Sequence, residues 1–426
     1  MNEKQTTDET SATLSIARQP IFDTKRRLWG YELFCVGSGI QTPPGGALPG
    51  ADNTALNVAS SAYVVLQQIL SRGNRIIVNF SEKNILDEIP YALPPVLAAV
   101  KVPERLCANS SVFGSLSRLK ADGYMIALEG FTGSPHCESI YRLADIISVN
   151  VAGRPREALA TIIASIGEYG AERLASHVES PERSAVCQEA GFTLFHGPFF
   201  KAPQNLKVRK LSSNDVSRFN LLKLIEHEEP DFSKLAELIQ ADVAVSFRLL
   251  TYLNSASFGL RRKISSIQQA IPLLGWQKMK SWLRVVLLTD MSQTPHAAEL
   301  FSLSIQRGKF LELVAHDHDY WGFDPDSLSL LGTFSLLDVM LGIPMSEVVA
   351  YMPLDNKLKA ALCRESNNEY LPLLELVTSF EEARWNDVES IIQRLGLNGV
   401  KVKAAFQSAI DWAGAISTLG SKENGM

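Results

Sequence analysis

A change of hydrophobic period constrains this fold more than any other feature of the sequence. Up to about residue 200, short apolar runs alternate with amphipathic stretches of helical spacing, and beyond the polar connector at 203–217 the strand signals stop. The predicted strands are Leu14–Phe22, Leu28–Cys35, Arg75–Phe80, Val96–Val102, Tyr124–Leu128, Ile146–Val151, Arg173–Val178 and Thr193–Phe200. Between them, Ala55–Leu70 repeats apolar residues at Leu56, Ala59, Tyr63, Leu66 and Ile69, and Glu157–Glu168 does so at Leu159, Ile162, Ile163 and Ile166. Strand–helix alternation on this scale implies a mostly parallel sheet, open or closed into a barrel. The run Tyr124–Leu128 leads straight into Glu129 and then Gly130 and Gly133, which places a carboxylate at a strand tip, where α/β enzymes keep their chemistry.

The second half reads as helices only. Pro230–Ser233 starts one, with Leu235, Leu238 and Ile239 facing inward; Val245, Leu249, Leu250 and Leu253 line the next. Ser266 and Gln269 form a capping-box pair, Pro272 shortens that helix and Gly275 stops it; a long apolar helix follows at Trp276–Met291. A chain of 426 residues, 46% of them hydrophobic, supports two or three domains. Its net charge of −5 gives no global attraction to nucleic acid or anionic membrane. The N-terminus has neither the basic start nor the apolar stretch of a signal peptide, and no apolar run reaches membrane-spanning length, so a cytoplasmic protein is expected. The five cysteines, never spaced C-x-x-C, read as reduced thiols. Gly37–Gly50 reads as a surface connection, since it lacks the spacing of a phosphate-cradling loop.

Several segments resemble the EAL domain, the cyclic di-GMP phosphodiesterase barrel. They are Ala17–Asp23 with Trp29–Leu33, Val78-Asn79, Ala127–Phe131, Ser176–Glu179 and His196–Phe200, in the family's order. The resemblance implies a TIM-like (β/α) barrel in which two divalent cations, held by carboxylates and an asparagine, activate water for attack on a phosphodiester. By the same resemblance Gln19, Glu32, Asn79, Glu129 and Glu179 are the remnant of that pocket. The motif is lost at Val36 (a phosphate-gripping arginine), Lys101 (a glutamate), Gly130 (the second of two aspartates), Ser148 (the catalytic lysine), Ser176 (a glutamate) and His196 (a glutamine). A shift of register would instead bring Glu104 to the place of Lys101. An ammonium about 4 Å from a unit positive charge opposes its binding by ~4 kcal/mol at an effective dielectric of 20, and a divalent ion roughly doubles that.

The second half is similar to an HDOD domain, the helical relative of HD-type metal phosphohydrolases. The carriers are Leu238–Asp242, Tyr252–Ala256 with Asn254 and Ser255, Ser266 in Ile264–Ile267, and Gly275; Gly332–Asp338 and Met352–Leu354 resemble the C-terminal extension of EAL–HDOD fusions. Where HD hydrolases have adjacent His and Asp, this chain has Ser335-Leu336. His316-Asp-His-Asp319 looks metallophilic, but consecutive residues point around a helix, and a solvated helix end is expected. The implied organisation is a multidomain α/β plus all-α chain: a disordered terminus at 1–13, a degenerate EAL-like barrel at 14–205, a linker at 206–217, an HDOD helical domain at 218–416 and a disordered tail at 417–426. The implied function is non-catalytic bacterial signalling through protein contacts, with no metal or other cofactor. The alternatives are a residual cyclic di-GMP phosphodiesterase or receptor, and a DNA-binding regulator that uses Ile264–Trp282 with Arg261–Lys263.

Overall fold

The computed structural model describes residues 15–36, 74–201, 232–241, 296–318, 323–352 and 354–421, together with 218, 221–222, 224–225, 275–276, 279–280, 283 and 287. The expectations for residues 1–13, the loop at 37–50, the helix at 55–70, the linker, and Asn254, Ser255 and Ser266 lie outside the described residues. So do those for Tyr252–Ala256, Arg261–Lys263 and Ile264–Ile267.

Eight strands close into a barrel in sequence order: β1 Ser15–Asp23, β2 Leu28–Val36, β3 Arg75–Asn79, β4 Ala98–Pro103, β5 Met125–Glu129, β6 Ile146–Asn150, β7 Glu172–Ser176 and β8 Leu194–His196. β1 runs antiparallel to both neighbours, and every other adjacent pair is parallel. Each predicted strand is present. The largest difference is at β8, which is three residues long and ends at His196 rather than running to Phe200. Gly197 turns to φ +142 and a 3-10 turn takes Pro198–Lys201. Phe199 and Phe200 are buried, so their apolar signal is that of core residues in a turn.

Period-two alternation sends one parity of each strand inward. Ile21, Ile77, Ala99, Ala127, Ile146, Leu174 and Leu194 meet as one buried apolar layer. The residue two positions nearer the barrel mouth on each parallel strand is therefore also inward: Asn79, Lys101, Glu129, Ser148, Ser176 and His196. Because β1 is antiparallel, its inward residue at the mouth is Gln19, paired in register with Glu32 of β2. An apolar floor with a polar ring above it follows from strand parity alone.

The chain divides into two compact units, Met1–Phe199 with Thr378–Ser408, and Phe200–Val377 with Ala409–Met426. The first therefore includes a C-terminal segment as well as the barrel. Within that segment Phe380 stacks on Phe406 at 4.6 Å and meets Trp385 edge-on. The described residues of the second unit are mostly helical. Ala297–Asp317 and Pro325–Phe334 cross at glycines: a Cβ on Gly332 would lie 2.5 Å from the backbone of Arg307, and one on Gly308 would lie 2.8 Å from the Ser329 carbonyl. No larger residue allows so close an approach. Helical backbone continues to Ser421, past the expected end at 416.

Two smaller expectations change. Cys187 and Cys363 are free, but Cys137 is disulfide-bonded, its partner lying outside the described side chains. A disulfide needs two Cα atoms brought to within about 7 Å, which the fold decides and cysteine spacing does not show. In the His316–Asp319 run, His316 and Asp317 are exposed, whereas His318 is buried with its Nδ1 2.8 Å from the Val314 carbonyl. The helix end is only partly solvated, and the described members of the run do not converge.

Candidate functional site: a barrel mouth with its own cation

The polar ring at the mouth is organised by Lys101. Its Nζ donates to Glu32 Oε1 at 2.8 Å and lies 3.2 Å from Glu129 Oε1. Asn79 Nδ2 donates to the same Glu32 oxygen at 2.8 Å. The Lys101 and Glu32 side chains are 4% and 1% exposed, whereas Glu129 at 39% reaches solvent. His196 Nδ1 stands 3.6 Å from Glu32 Oε2, an electrostatic contact too long for a hydrogen bond, and the His196 ring stacks near Phe34. Glu32 Oε2, His196 Nε2 and Ser148 Oγ are buried without a hydrogen-bond partner.

Electrostatics reinforces this geometry. Burial favours the neutral form of Glu32, but the Lys101 ammonium, the His196 ring and the Asn79 amide outweigh it and hold the carboxyl at about 2. Burial likewise opposes the charge on Lys101, yet Glu32 and Glu129 raise its pKa above the ordinary lysine value. Burial pushes His196 down to about 4, against the attraction of Glu32. At neutral pH the ring holds an ionised Glu32, an ammonium at Lys101 and a neutral imidazole.

Lys101, not Glu104, is the residue of β4 that lies in the ring. It pairs with Asn79 across β3–β4 and points into the barrel, while Glu104 accepts hydrogen bonds from Thr132 and Tyr141 in the loops beyond. The other expected positions are distributed as follows. Gly130 follows Glu129 in the left-handed region at φ +86, where an aspartate would be strained. Ser148 is buried in the middle of β6 and Ser176 at the end of β7. Glu179 is exposed beyond β7, and Val36 closes β2 opposite Ser15. Gln19 turns its amide to the carbonyl of Glu381 at 2.9 Å, a contact across 362 residues that no local signal in the sequence could reveal.

These residues do not fit a divalent cation. The Oε1 atoms of Glu32 and Glu129 that would hold one are both directed at an ammonium. Among the described residues, no three His, Cys, Asp or Glu side chains converge as metal ligands. In the helical unit, Ser335 accepts from the buried Arg307 guanidinium at 2.9 Å, and Leu336 beside it is buried. Gly275, the described member of the HDOD signature, adopts φ +74, the left-handed conformation of a helix stop. Among the described residues no helix is long and apolar enough to cross a membrane.

A closed barrel with one antiparallel strand and a polar mouth, followed by a helical unit, is the architecture of an EAL-type barrel joined to an HDOD region. The HDOD domain profile matches residues 213–332. YuxH of Bacillus subtilis (strain 168) is 30% identical over 404 residues, covering 93% of this chain and 97% of YuxH. The cyclic di-GMP phosphodiesterase CdgJ of Vibrio cholerae is 28% identical over 426 residues, covering 98% and 96%. The crystal structure of the FimX EAL domain aligns with a TM-score of 0.38 at 16% identity, covering 47% of this chain and 94% of that one. The chain belongs to the family of EAL–HDOD fusion proteins.

Proposed function

We propose that this protein is a non-catalytic regulator in cyclic di-GMP signalling that works through contacts with other proteins. The observation that carries this reading is Lys101: its buried ammonium engages one oxygen each of Glu32 and Glu129, which sets a positive charge where a divalent cation would have to lie. Gly130 in place of a paired carboxylate and Ser148 in place of a lysine support the same reading. The test is hydrolysis of cyclic di-GMP by the purified chain with Mg²⁺ or Mn²⁺. The expected result is no linear product above the protein-free control; turnover abolished by Glu32→Ala would sink the proposal.

The likeness to CdgJ favours a second reading, residual phosphodiesterase activity or binding of cyclic di-GMP without turnover. Calorimetry separates the two. Heat of binding without product makes the chain a receptor, and no heat leaves protein partners as the route. DNA binding is the weaker alternative because the net charge is −5.

A further inference from the structure

Gln19 is an inward-facing mouth residue, as its register with Glu32 and its two-residue offset from the core residue Ile21 require. Its amide is bound to the end of a helix that arrives from the far C-terminal part of the chain. The hydrogen bonding of that helix end explains why. Leu371–Glu381 stops in a Schellman arrangement: Arg384 N–H bonds the Ser379 carbonyl at 2.9 Å and Ala383 N–H the Phe380 carbonyl at 3.2 Å, with Ala383 at φ +54. Glu382 N–H takes the Thr378 carbonyl at 3.0 Å. The last carbonyls of a helix have no partner inside it. The Glu381 carbonyl, next along the helix end, accepts from Gln19 Nε2 at 2.9 Å. Glu381 itself is 4% exposed, so this carbonyl is covered rather than left to water.

We propose that the β1 rim of the barrel mouth is an interaction surface whose occupant is this chain's own segment 378–408, docked through the Gln19–Glu381 bond. That segment is grouped with the barrel in one compact unit. A helix C-terminus carries partial negative charge. Held by Gln19 at the β1 rim, it sets a partial negative charge beside the mouth, while Glu129 on β5 remains open to solvent. This docking is independent of whether the barrel hydrolyses anything.

The test is amide hydrogen exchange on the full-length chain, wild type, Gln19→Ala and Gln19→Glu. In the wild type, residues 382–384 should be protected at least tenfold over the free-chain rate. Loss of one hydrogen bond should raise their exchange about fivefold in Gln19→Ala, and at least as much in Gln19→Glu, which sets a carboxylate against the carbonyl. Exchange in the core of β5 should stay unchanged. Free-chain exchange at 382–384 in the wild type overturns the proposal. So does an unchanged rate in both variants, or a rise that is uniform across the barrel and marks only a loss of global stability.

Discussion

At the scale of single residues, Lys101 acts as a structural cation. A buried ion pair is costly to assemble but costlier to leave half-made. Lys101→Met strands Glu32 without its main counter-charge and should lower unfolding free energy by about 3–5 kcal/mol, read from the denaturant midpoint at constant slope. Acid titration should report the same cluster. Glu32 has a folded pKa near 2 against an ordinary 4.5, so its contribution is present above about pH 4.5 and is lost as pH falls toward 2. His196, held at about 4 against 6.5, acts in the same direction: between those values the unfolded chain takes a proton that the folded chain refuses. Thermal midpoints should therefore fall from about pH 6.5 downward, and His196→Gln should flatten the segment between pH 6.5 and 4. A midpoint independent of pH over that interval in the wild type would contradict the buried neutral imidazole.

At the scale of elements, strands were far more legible than their ends. The short apolar runs that mark the strands are local, and the sequence displays them directly. The end of β8 depends on Gly197 and Pro198 overriding an apolar run whose burial looks the same in a strand or in a turn. The helix stop at Ala383 was invisible for a related reason: an alanine at φ +54 carries no turn signal, and the Schellman bonds impose that conformation. An L-residue there costs roughly 1–2 kcal/mol, part of which glycine recovers after its own entropy loss. Ala383→Gly should thus stabilise the chain by up to about 1 kcal/mol, measured as a raised thermal midpoint. A destabilised variant would show that the left-handed turn is not populated in solution.

At the scale of the whole molecule, the chain leaves the barrel's unit at Phe199 and returns to it from Thr378 to Ser408. A chain stopped after Val377 should accordingly lose barrel stability, seen as faster amide exchange in Met125–Glu129; an unchanged rate would mean the barrel is complete without its C-terminal segment. The sequence by itself determined the barrel's strands and the helical second half, while Glu32, Asn79 and Glu129 were singled out by the resemblance to the EAL domain. Both signals are local, set by backbone geometry over two to four residues. Only the tertiary structure decided that Lys101 rather than Glu104 enters the ring, that its ammonium joins Glu32 to Glu129, and that Gln19 completes a helix end far along the chain. Those are facts of distance across a closed barrel, and Coulomb attraction and hydrogen bonding act through space rather than along the sequence.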